Sequence, residues 1–549
     1  MTGPVLESSL DVNGEGFQAN AEYMRAYVER VRDIERKQRE TEQAYLPRAR
    51  QAGKLLPRER LAFLLDPGTP FFELNSIAGY GMYDDQDGST SGGNLITGIG
   101  YVSGRRCLVV VWNYAIKGGT ITPVNVKKLL RLQEIAFRTR LPIVQLHESG
   151  GGDLSAKSMA TDPWGPATFT EGGRVYCQLA QLSARGIPQI TVAHGNATAG
   201  GAYQVALSDY IVLVQEKTQL FLAGPPLLKA GTGEEATAEE LGGAEMHATV
   251  AGTGEYLAAD DRDGIRIARE IVAQLPLDPV LTDVEPVEPP RYDSEELLGI
   301  YPEDRKKPVM AEDIIARLVD GSRFLAFKPE IDPGTVCGHA RIGGKRVGIL
   351  SNNGPITPQA ANKAAQFIQL CDQSYTPLLF LQNTTGFMVG TEVERRGQVK
   401  HSAKLIQAVA NARGPKLTIL VGNAYGAGNY AMASRALDPE FVLAWPTARQ
   451  ALMGGAQAAK VMRIVTEGKW ARKGIKPDKE QKKKLDDTTG MIEFGLEVIS
   501  ESLYCSARLM DDGIIDPRDT RIVVDFLLET VLEAGLRKPR ETSHGVQRL

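Results

Sequence analysis

The chain repeats itself. "GNATAGGAY" (Gly195 to Tyr203) returns as "GNAYGAGNY" (Gly422 to Tyr430), an offset of 227 positions. Two further pairs recur in the same order at an offset of 235: Ile-Thr-Pro at Ile121 and at Ile356, and "LPIVQLHESGGG" from Leu141 with "TPLLFLQNTTGF" from Thr376. A matching order at a nearly constant offset points to one folding unit present twice. Each copy reads as a helix after the Ile-Thr-Pro, a strand ending in small residues, then a strand, a Gly/Ala turn and a helix start, so the fold class is α/β, built from strand–helix–strand units. At 549 residues the chain is also too long for one ordinary core. The Pro-rich, charged stretch "DVEPVEPPRYDSEELLGIYPEDRKKP" from Asp283 reads as a linker, which sets domains at 1–285 and 286–549. Ahead of the first copy, residues from about Asn20 to Leu65 read as a long charged helix, a turn and a shorter helix, stopped by Pro67, Gly68 and Pro70.

The repeated nonapeptide is poor material for a core but suits a different task. A strand that passes through glycine straight into a helix leaves backbone N–H groups unpaired at the helix start, and the helix dipole adds partial positive charge there. Such a turn accommodates an oxyanion, either a phosphate or an enolate, without any charged side chain. Gly200 and Gly201 would supply the donors in the first copy, Ala427 and Gly428 at the same register in the second. The alternative is that the glycines only permit close packing of helix on strand. Neither stretch is GxGxxG and no GxxxxGK[ST] occurs, so neither nucleotide fingerprint is met. Two copies imply two similar sites.

Other features narrow the class. A net charge of -4 argues against a nucleic-acid binder. The five cysteines (107, 177, 337, 371 and 505) are scattered with no CxxC, which implies reduced thiols and no zinc ribbon. The polar, acidic first residues are not a secretory signal, and no 18-residue apolar run predicts a membrane span. The six histidines lack metal-ligand spacing and read as structural or surface residues, with His194, just before the first turn, the least settled; no metal is expected. The basic run "KWARKGIKPDKEQKKK" (Lys469 to Lys484) reads as a solvated helix face, with a docking role for phosphate or a partner as the lesser reading.

Several longer segments carry a family resemblance: "LLDPGTPFFELNSIAGYGMYD", "KGGTITPVNVKKLLRLQEIA", "TAGGAY", "FLAGPPLLKAGTGEEATAEELGGAEMH", "LQNTTGFMVG", "YGAGNYAM", "WPTARQALMGGAQAAKV" and "SARLMDDGIIDPRDTR". With them the chain resembles the carboxyltransferase (β) subunits of biotin-dependent acyl-CoA carboxylases, most of all those of methylcrotonoyl-CoA carboxylase. The resemblance implies two homologous crotonase-like domains in tandem, of the ClpP/crotonase superfamily, with acyl-CoA on the N-terminal domain and biotin on the C-terminal one. It implies transfer of CO2 from carboxybiotin to an acyl-CoA, with biotin itself as the base, so that both reactants pass through oxyanions. Gly200 and Gly201 would then hold the thioester oxygen, and Ala427 and Gly428 the biotin ureido oxygen. Lys117, Gly118 and Gly119 lie where such enzymes bind CoA, although a solvated surface turn is the equal alternative for Lys117. Gly151 and Gly152, with Ala199, would shape the acyl pocket; Thr385, Gly386 and Phe387, with Gly426, would line the biotin pocket, a packed strand end being the alternative there.

The chain has neither a Met-Lys-Met biotinyl site nor an ATP-binding Gly-rich loop followed by Lys. The resemblance therefore implies a separate α subunit with biotin carboxylase and biotin carrier parts. It also implies a homo-hexameric core (a trimer of dimers), and a cytoplasmic location or, in a eukaryote, the mitochondrial matrix. A branched, unsaturated acyl-CoA such as 3-methylcrotonyl-CoA is the expected substrate. Geranoyl-, propionyl- or acetyl-CoA, an acyl-CoA decarboxylase subunit, and a noncatalytic CoA-binding scaffold are the alternatives. Three residues depart from the relatives: Gly152 and Asp153, where Ala then Arg or Tyr is usual, and Ala456, where methylcrotonoyl-type enzymes usually carry Glu.

Overall fold

The computed structural model describes residues 3–152, 166–305 and 307–547; Asp153 lies outside them. The chain opens on the long helix α1 (Glu15–Ala44). Ala21, Met24, Val28, Val31 and Ile34 recur every three or four residues and are buried, so one stripe of an otherwise charged helix supplies its packing face. The shorter helix α2 (Pro57–Leu64) follows, begun by a proline whose missing N–H costs nothing at a first helical position.

The first sheet has eight strands: β1 (Phe72–Leu74), β2 (Leu95–Val102), β3 (Arg105–Trp112), β4 (Ile143–Ser149), β5 (Gln189–Thr198), β6 (Tyr210–Val214), β7 (Gln219–Phe221) and β8 (Tyr256–Ala258). They run in the order β1-β2-β3-β4-β5-β6-β8, and β7 pairs with the far end of β5. Pairing is antiparallel from β1 to β3 and parallel beyond. The valine-rich run of β3 is buried on both faces, as an interior strand covered by helices must be. Helices α3 (Pro123–Thr139) and α4 (Pro166–Ala184) lie in the crossovers around β4. The short α5 (Gly200–Ala206) leaves β5, and α6 (Asp261–Gln274) follows β8.

The second sheet has seven strands: β9 (Leu325–Ala326), β10 (Thr335–Ile342), β11 (Lys345–Asn352), β12 (Leu378–Thr384), β13 (Lys416–Tyr425), β14 (Phe441–Ala444) and β15 (Arg449–Ala451). Its order is β14-β13-β12-β11-β10-β9, with β15 on the far end of β13. Again the first three strands pair antiparallel and the rest parallel. Helices α7 (Pro358–Gln373) and α8 (Gln398–Asn411) flank β12, and the short α9 (Gly426–Ala431) leaves β13. The hairpin α10 (Gly455–Arg472) and α11 (Lys479–Ser500) comes after β15, and α12 (Thr520–Leu536) is the last helix.

The duplication extends to single side chains. Thr122 caps α3 by accepting from the Asn125 N–H at 3.2 Å, and Thr357 caps α7 by accepting from the Ala360 N–H at 3.1 Å. Lys128 on α3 donates to the carbonyls of Asn75, Gly92 and Leu95 at 3.1, 3.0 and 2.7 Å. Lys363, at the same place on α7, donates to those of Ile331 and Asp332 at 2.8 and 3.2 Å. Burial pushes the Lys128 ammonium down to about 7, yet all three of its hydrogens have a carbonyl.

The chain divides into two compact units, but not by one cut in the linker. Thr282–Ser506 forms the second unit together with Met1–Val31 and Met510–Glu529. Arg32–Leu281 forms the first together with Ala507–Leu509 and Thr530–Leu549. The expected boundaries at 1–285 and 286–549 differ from this division at both chain ends. The cause is packing: Met24 meets Thr447 (3.7 Å, Sδ to hydroxyl), whereas Glu533 forms an ion pair with buried Arg106 at 3.1 Å.

Replacing Lys128 with Met keeps the apolar stem but takes a donor from three inward carbonyls, of which those of Asn75 and Gly92 still accept from the Ala78 and Leu95 N–H groups. The expected loss is about 1 to 3 kcal/mol of unfolding free energy, read from urea denaturation, against less than about 0.5 kcal/mol for Met at the exposed Lys400.

Candidate active site

Each Gly/Ala turn sits against the end of the neighbouring strand, and the two copies share a construction. In the first, the Ser149 hydroxyl at the end of β4 accepts from the Gly151 N–H at 3.2 Å, and the Gly151 carbonyl accepts from the Ile121 N–H at 2.8 Å. In the second, the Thr384 hydroxyl accepts from the Gly386 N–H at 3.1 Å, and the Gly386 carbonyl accepts from the Ile356 N–H at 3.0 Å. Both glycines have positive φ, 85° and 115°, which a side chain would resist. The residue that opens the following turn is also left-handed in both copies: Ala199 at 52° and Gly426 at 59°.

This geometry draws most of the expected residues together. The Lys117–Gly119 turn lies against the end of β4, where the Gly118 carbonyl accepts from the Gly150 N–H at 3.2 Å. A side chain on Gly119 would run into the Glu148 carbonyl, and one on Gly151 would come within 3.1 Å of the Thr198 carbonyl. Lys117, Gly118, Gly119, Gly151, Gly152, Ala199, Gly200 and Gly201 thus belong to one locality of the first unit. Lys117 is not a free cation there, since its ammonium forms an ion pair with Asp84. In the second unit Gly386 lies beside the Tyr425 carbonyl at 3.5 Å (measured from a Cβ built on it), and Phe387 bridges to Ile356. Thr385 is exposed, whereas Phe387 is half-buried and packs on the core around Phe367 and Phe380. Ala456 lies exposed in the first turn of α10.

The glycines divide by task. Gly195 makes room for the neighbouring strand: a Cβ there would stand 2.5 Å from the Glu148 carboxyl carbon, and one on Gly422 would meet Tyr301 and Asn383. Gly201 and Gly428 allow helix to touch strand. A Cβ on Gly201 would lie 3.2 Å from His147 Nε2 and 3.3 Å from Ser149 Cβ, and one on Gly428 would lie 2.8 Å from Gly386 Cα. Close packing therefore accounts for these glycines as glycines. It does not occupy their amides. Among the described residues, none accepts a hydrogen bond from the N–H of Gly200, Gly201, Ala427 or Gly428. The Tyr176 hydroxyl, from α4, donates to the Gly200 carbonyl at 3.2 Å and fixes that peptide.

Beneath the first turn lies a charged network that sequence reading did not anticipate. Glu148 pairs with Lys54 at 2.5 Å and with Arg60 at 2.8 Å; Arg60 reaches Asp261 at 3.0 Å; Asp261 accepts from His194 Nδ1 at 2.8 Å. Burial depresses His194, assisted by Arg60 and opposed by Asp261, and the ring is structural, held in place by that carboxylate. On the strand before Glu148, His147 is fully buried and tilted against Trp112, ring centroids 4.5 Å apart. Burial pushes it down to about 3. The partners Ser149 and Thr384 were also missed, although both stand at the 235-residue offset and both carry a hydroxyl.

Among the described residues there is no cluster of metal-ligating side chains, and no helix is long and apolar enough to cross a membrane. The five cysteines form no disulfide, and only Cys177 is exposed.

Comparison with known proteins decides the family. The model for the carboxyl transferase domain matches residues 48–546. The chain belongs to the carboxyl transferase family. This carboxyl transferase is 44% identical over 503 residues to the biotin-dependent 3-methylcrotonyl-coenzyme A carboxylase β1 subunit of Mycobacterium tuberculosis, covering 90% of this chain and 92% of that protein. It is 41% identical to the probable mitochondrial methylcrotonoyl-CoA carboxylase β chain of Drosophila melanogaster, covering 99% of this chain and 95% of that one. Among solved structures, the β subunit of geranyl-CoA carboxylase from P. aeruginosa is 53% identical, with a TM-score of 0.91 and complete coverage of both chains.

Two outcomes test this geometry. Gly428→Ala, whose new methyl meets backbone, loses about 1 to 3 kcal/mol of stability in denaturant titration, and Gly201→Ala, which meets side-chain atoms that can yield, loses less. His147 and His194 take up a proton in the unfolded chain but resist it when folded, so stability rises with pH here. As pH falls below about 6.5 towards about 3, unfolding free energy drops by up to about 1.4 kcal/mol per unit through His147, with His194 acting in the same direction, and His147→Gln flattens the first part of that slope.

Proposed function

We propose that this chain is the carboxyltransferase subunit of a biotin-dependent acyl-CoA carboxylase, moving CO2 from carboxybiotin to a branched, unsaturated acyl-CoA. The observation that carries the reading is the pair of turns, each offering two uncommitted backbone amides at one register. Each unit is read as a crotonase-like domain, the first serving acyl-CoA and the second biotin. The likeness to methylcrotonyl- and geranyl-CoA carboxylase β subunits supports the choice of reaction and of substrate class.

The chemistry of a 3-methyl-2-enoyl thioester fits such a site. Its C3 methyl is conjugated through the double bond to the thioester carbonyl, so loss of a methyl proton moves charge onto the carbonyl oxygen. The N–H groups of Gly200 and Gly201 would hold that oxygen, and each donor of this kind is worth about 100- to 1000-fold in rate. Carboxybiotin would supply the CO2 and, having released it, a base for the acyl proton. In the second unit Ala427 and Gly428 would hold the ureido oxygen, in a pocket lined by Thr385, Gly386, Phe387 and Gly426. Lys117, Gly118 and Gly119 would meet the CoA, with Lys117 exchanging Asp84 for a phosphate. Gly151, Gly152 and Ala199 would border the acyl group. A biotin-bearing α subunit and a hexameric β core complete the proposal by resemblance.

The acyl chain has two candidate lengths. The 53% identity to a geranyl-CoA carboxylase β subunit favours a longer terpenoid chain as a second reading, within the same 3-methyl-2-enoyl class. A substrate panel decides it. The purified chain is mixed with a biotinylated α subunit, ATP and bicarbonate, and incorporation of labelled CO2 is measured for 3-methylcrotonyl-, geranyl-, propionyl- and acetyl-CoA. The expected result is carboxylation of one or both 3-methyl-2-enoyl thioesters, nothing without the α subunit, and a loss of about 100-fold or more for Gly201→Val with the fold retained. Preference for propionyl- or acetyl-CoA overturns the substrate class, and turnover without the α subunit overturns the division of labour.

A further inference from the structure

His147 has a ring nitrogen that bonds to nothing among the described residues. It is fully buried on β4, two residues before Ser149. Its Nδ1 lies 3.2 Å from the Gln145 amide nitrogen. An amide nitrogen can only donate, so with Gln145 in this orientation Nδ1 accepts and the ring hydrogen sits on Nε2. Among the described residues Nε2 has no hydrogen-bond partner. It points at α5, lying 3.2 Å from where a Cβ on Gly201 would be. A buried donor left without a partner lowers stability, so its presence beside a functional turn calls for a cause.

The second copy shows what the position does. There Gln382 stands at the 235-residue offset from His147, and its Nε2 donates to the Asn429 carbonyl in the first turn of α9 at 3.2 Å. In both copies, then, a neutral polar N–H reaches from the strand into the back of the helix start. In the first copy it is directed at Gly201 and meets no carbonyl among the described residues.

Building on the proposed function, we propose that His147 is a positioning residue for the acyl-side turn, holding Gly201 from behind and aiming the positive end of its Nε2–H dipole at the Gly200–Gly201 amides. A fixed dipole in a dry interior is effective at short range, and it needs no reorganisation as charge develops on the other side of the turn. A neutral donor also leaves the Lys54–Glu148–Arg60–Asp261 network undisturbed, which an imidazolium would not.

The test uses the complete complex with whichever acyl-CoA is the best substrate. His147→Phe keeps the ring and removes the dipole; His147→Gln restores an N–H donor of the kind found at Gln382. The expected result for His147→Phe is a fall in kcat of about tenfold or more, with acyl-CoA dissociation constant and Tm unchanged or Tm raised, because an unpaired donor has gone. His147→Gln stays within about threefold of wild type. A purely structural histidine would give the opposite pattern for Phe, with Tm lowered and affinity weakened in step with kcat. That pattern, or wild-type kcat in His147→Phe, overturns the proposal. If the phenyl ring prevents folding, His147→Leu carries the same comparison. Should the wild-type complex carboxylate no acyl-CoA, the proposed function falls and this inference with it; should wild type work and both variants match it, only this inference falls.

Discussion

The architecture depends on a close approach: the first turn of a short helix resting on the end of the neighbouring strand, with no side chain on the helix residue that faces it. Gly201 on β4 and Gly428 on β12 make that approach in their respective units, and Ser149 and Thr384 hold the strand ends in shape by accepting from Gly151 and Gly386. Where helix and strand touch, no carbonyl among the described residues accepts from the N–H groups of Gly200, Gly201, Ala427 or Gly428. The residues ahead of them, Ala199 and Gly426, both have positive φ. The donors are main chain, with no charged side chain among them.

That economy explains how the two copies could diverge. The features at fixed offset are backbone features and their immediate supports: the threonine caps, the buried lysines, the strand-end hydroxyls, the left-handed residues. The side chains behind the turns differ freely. The first unit places a self-neutralising set of Lys54, Arg60, Glu148 and Asp261 there. The second places Tyr301 and Asn383 beside Gly422, with Arg305 donating to the Thr447 carbonyl at 2.9 Å. A donor pair made of main chain tolerates both surroundings.

Much of this was legible in the sequence. The 227- and 235-residue offsets gave the duplicated α/β order, the strands ending in glycine, and the register that equates Gly200 and Gly201 with Ala427 and Gly428. What was not legible needs a third dimension. Gly195 looks like part of the Gly/Ala turn but serves to admit Glu148, and nothing local distinguishes it from Gly201. His194 was singled out for its place in the chain, whereas burial and Asp261 make it structural; His147, drawing no notice, lies behind the turn itself. Lys117 reads as a cation awaiting an anion, but Asp84 is brought to it by a loop fold that no spacing encodes. Long-range partners of this sort, Arg106 with Glu533 among them, are decided by packing across hundreds of residues.

The sharing out of the chain ends has a consequence for dissecting the molecule. The first unit draws on Thr530–Leu549 as well as Arg32–Leu281, and the second on Met1–Val31 as well as Thr282–Ser506. Severing the polypeptide at the Pro-rich linker would therefore hand each piece a strip that belongs to the other, so an excised half must be assembled from separate stretches of chain rather than cut out as one.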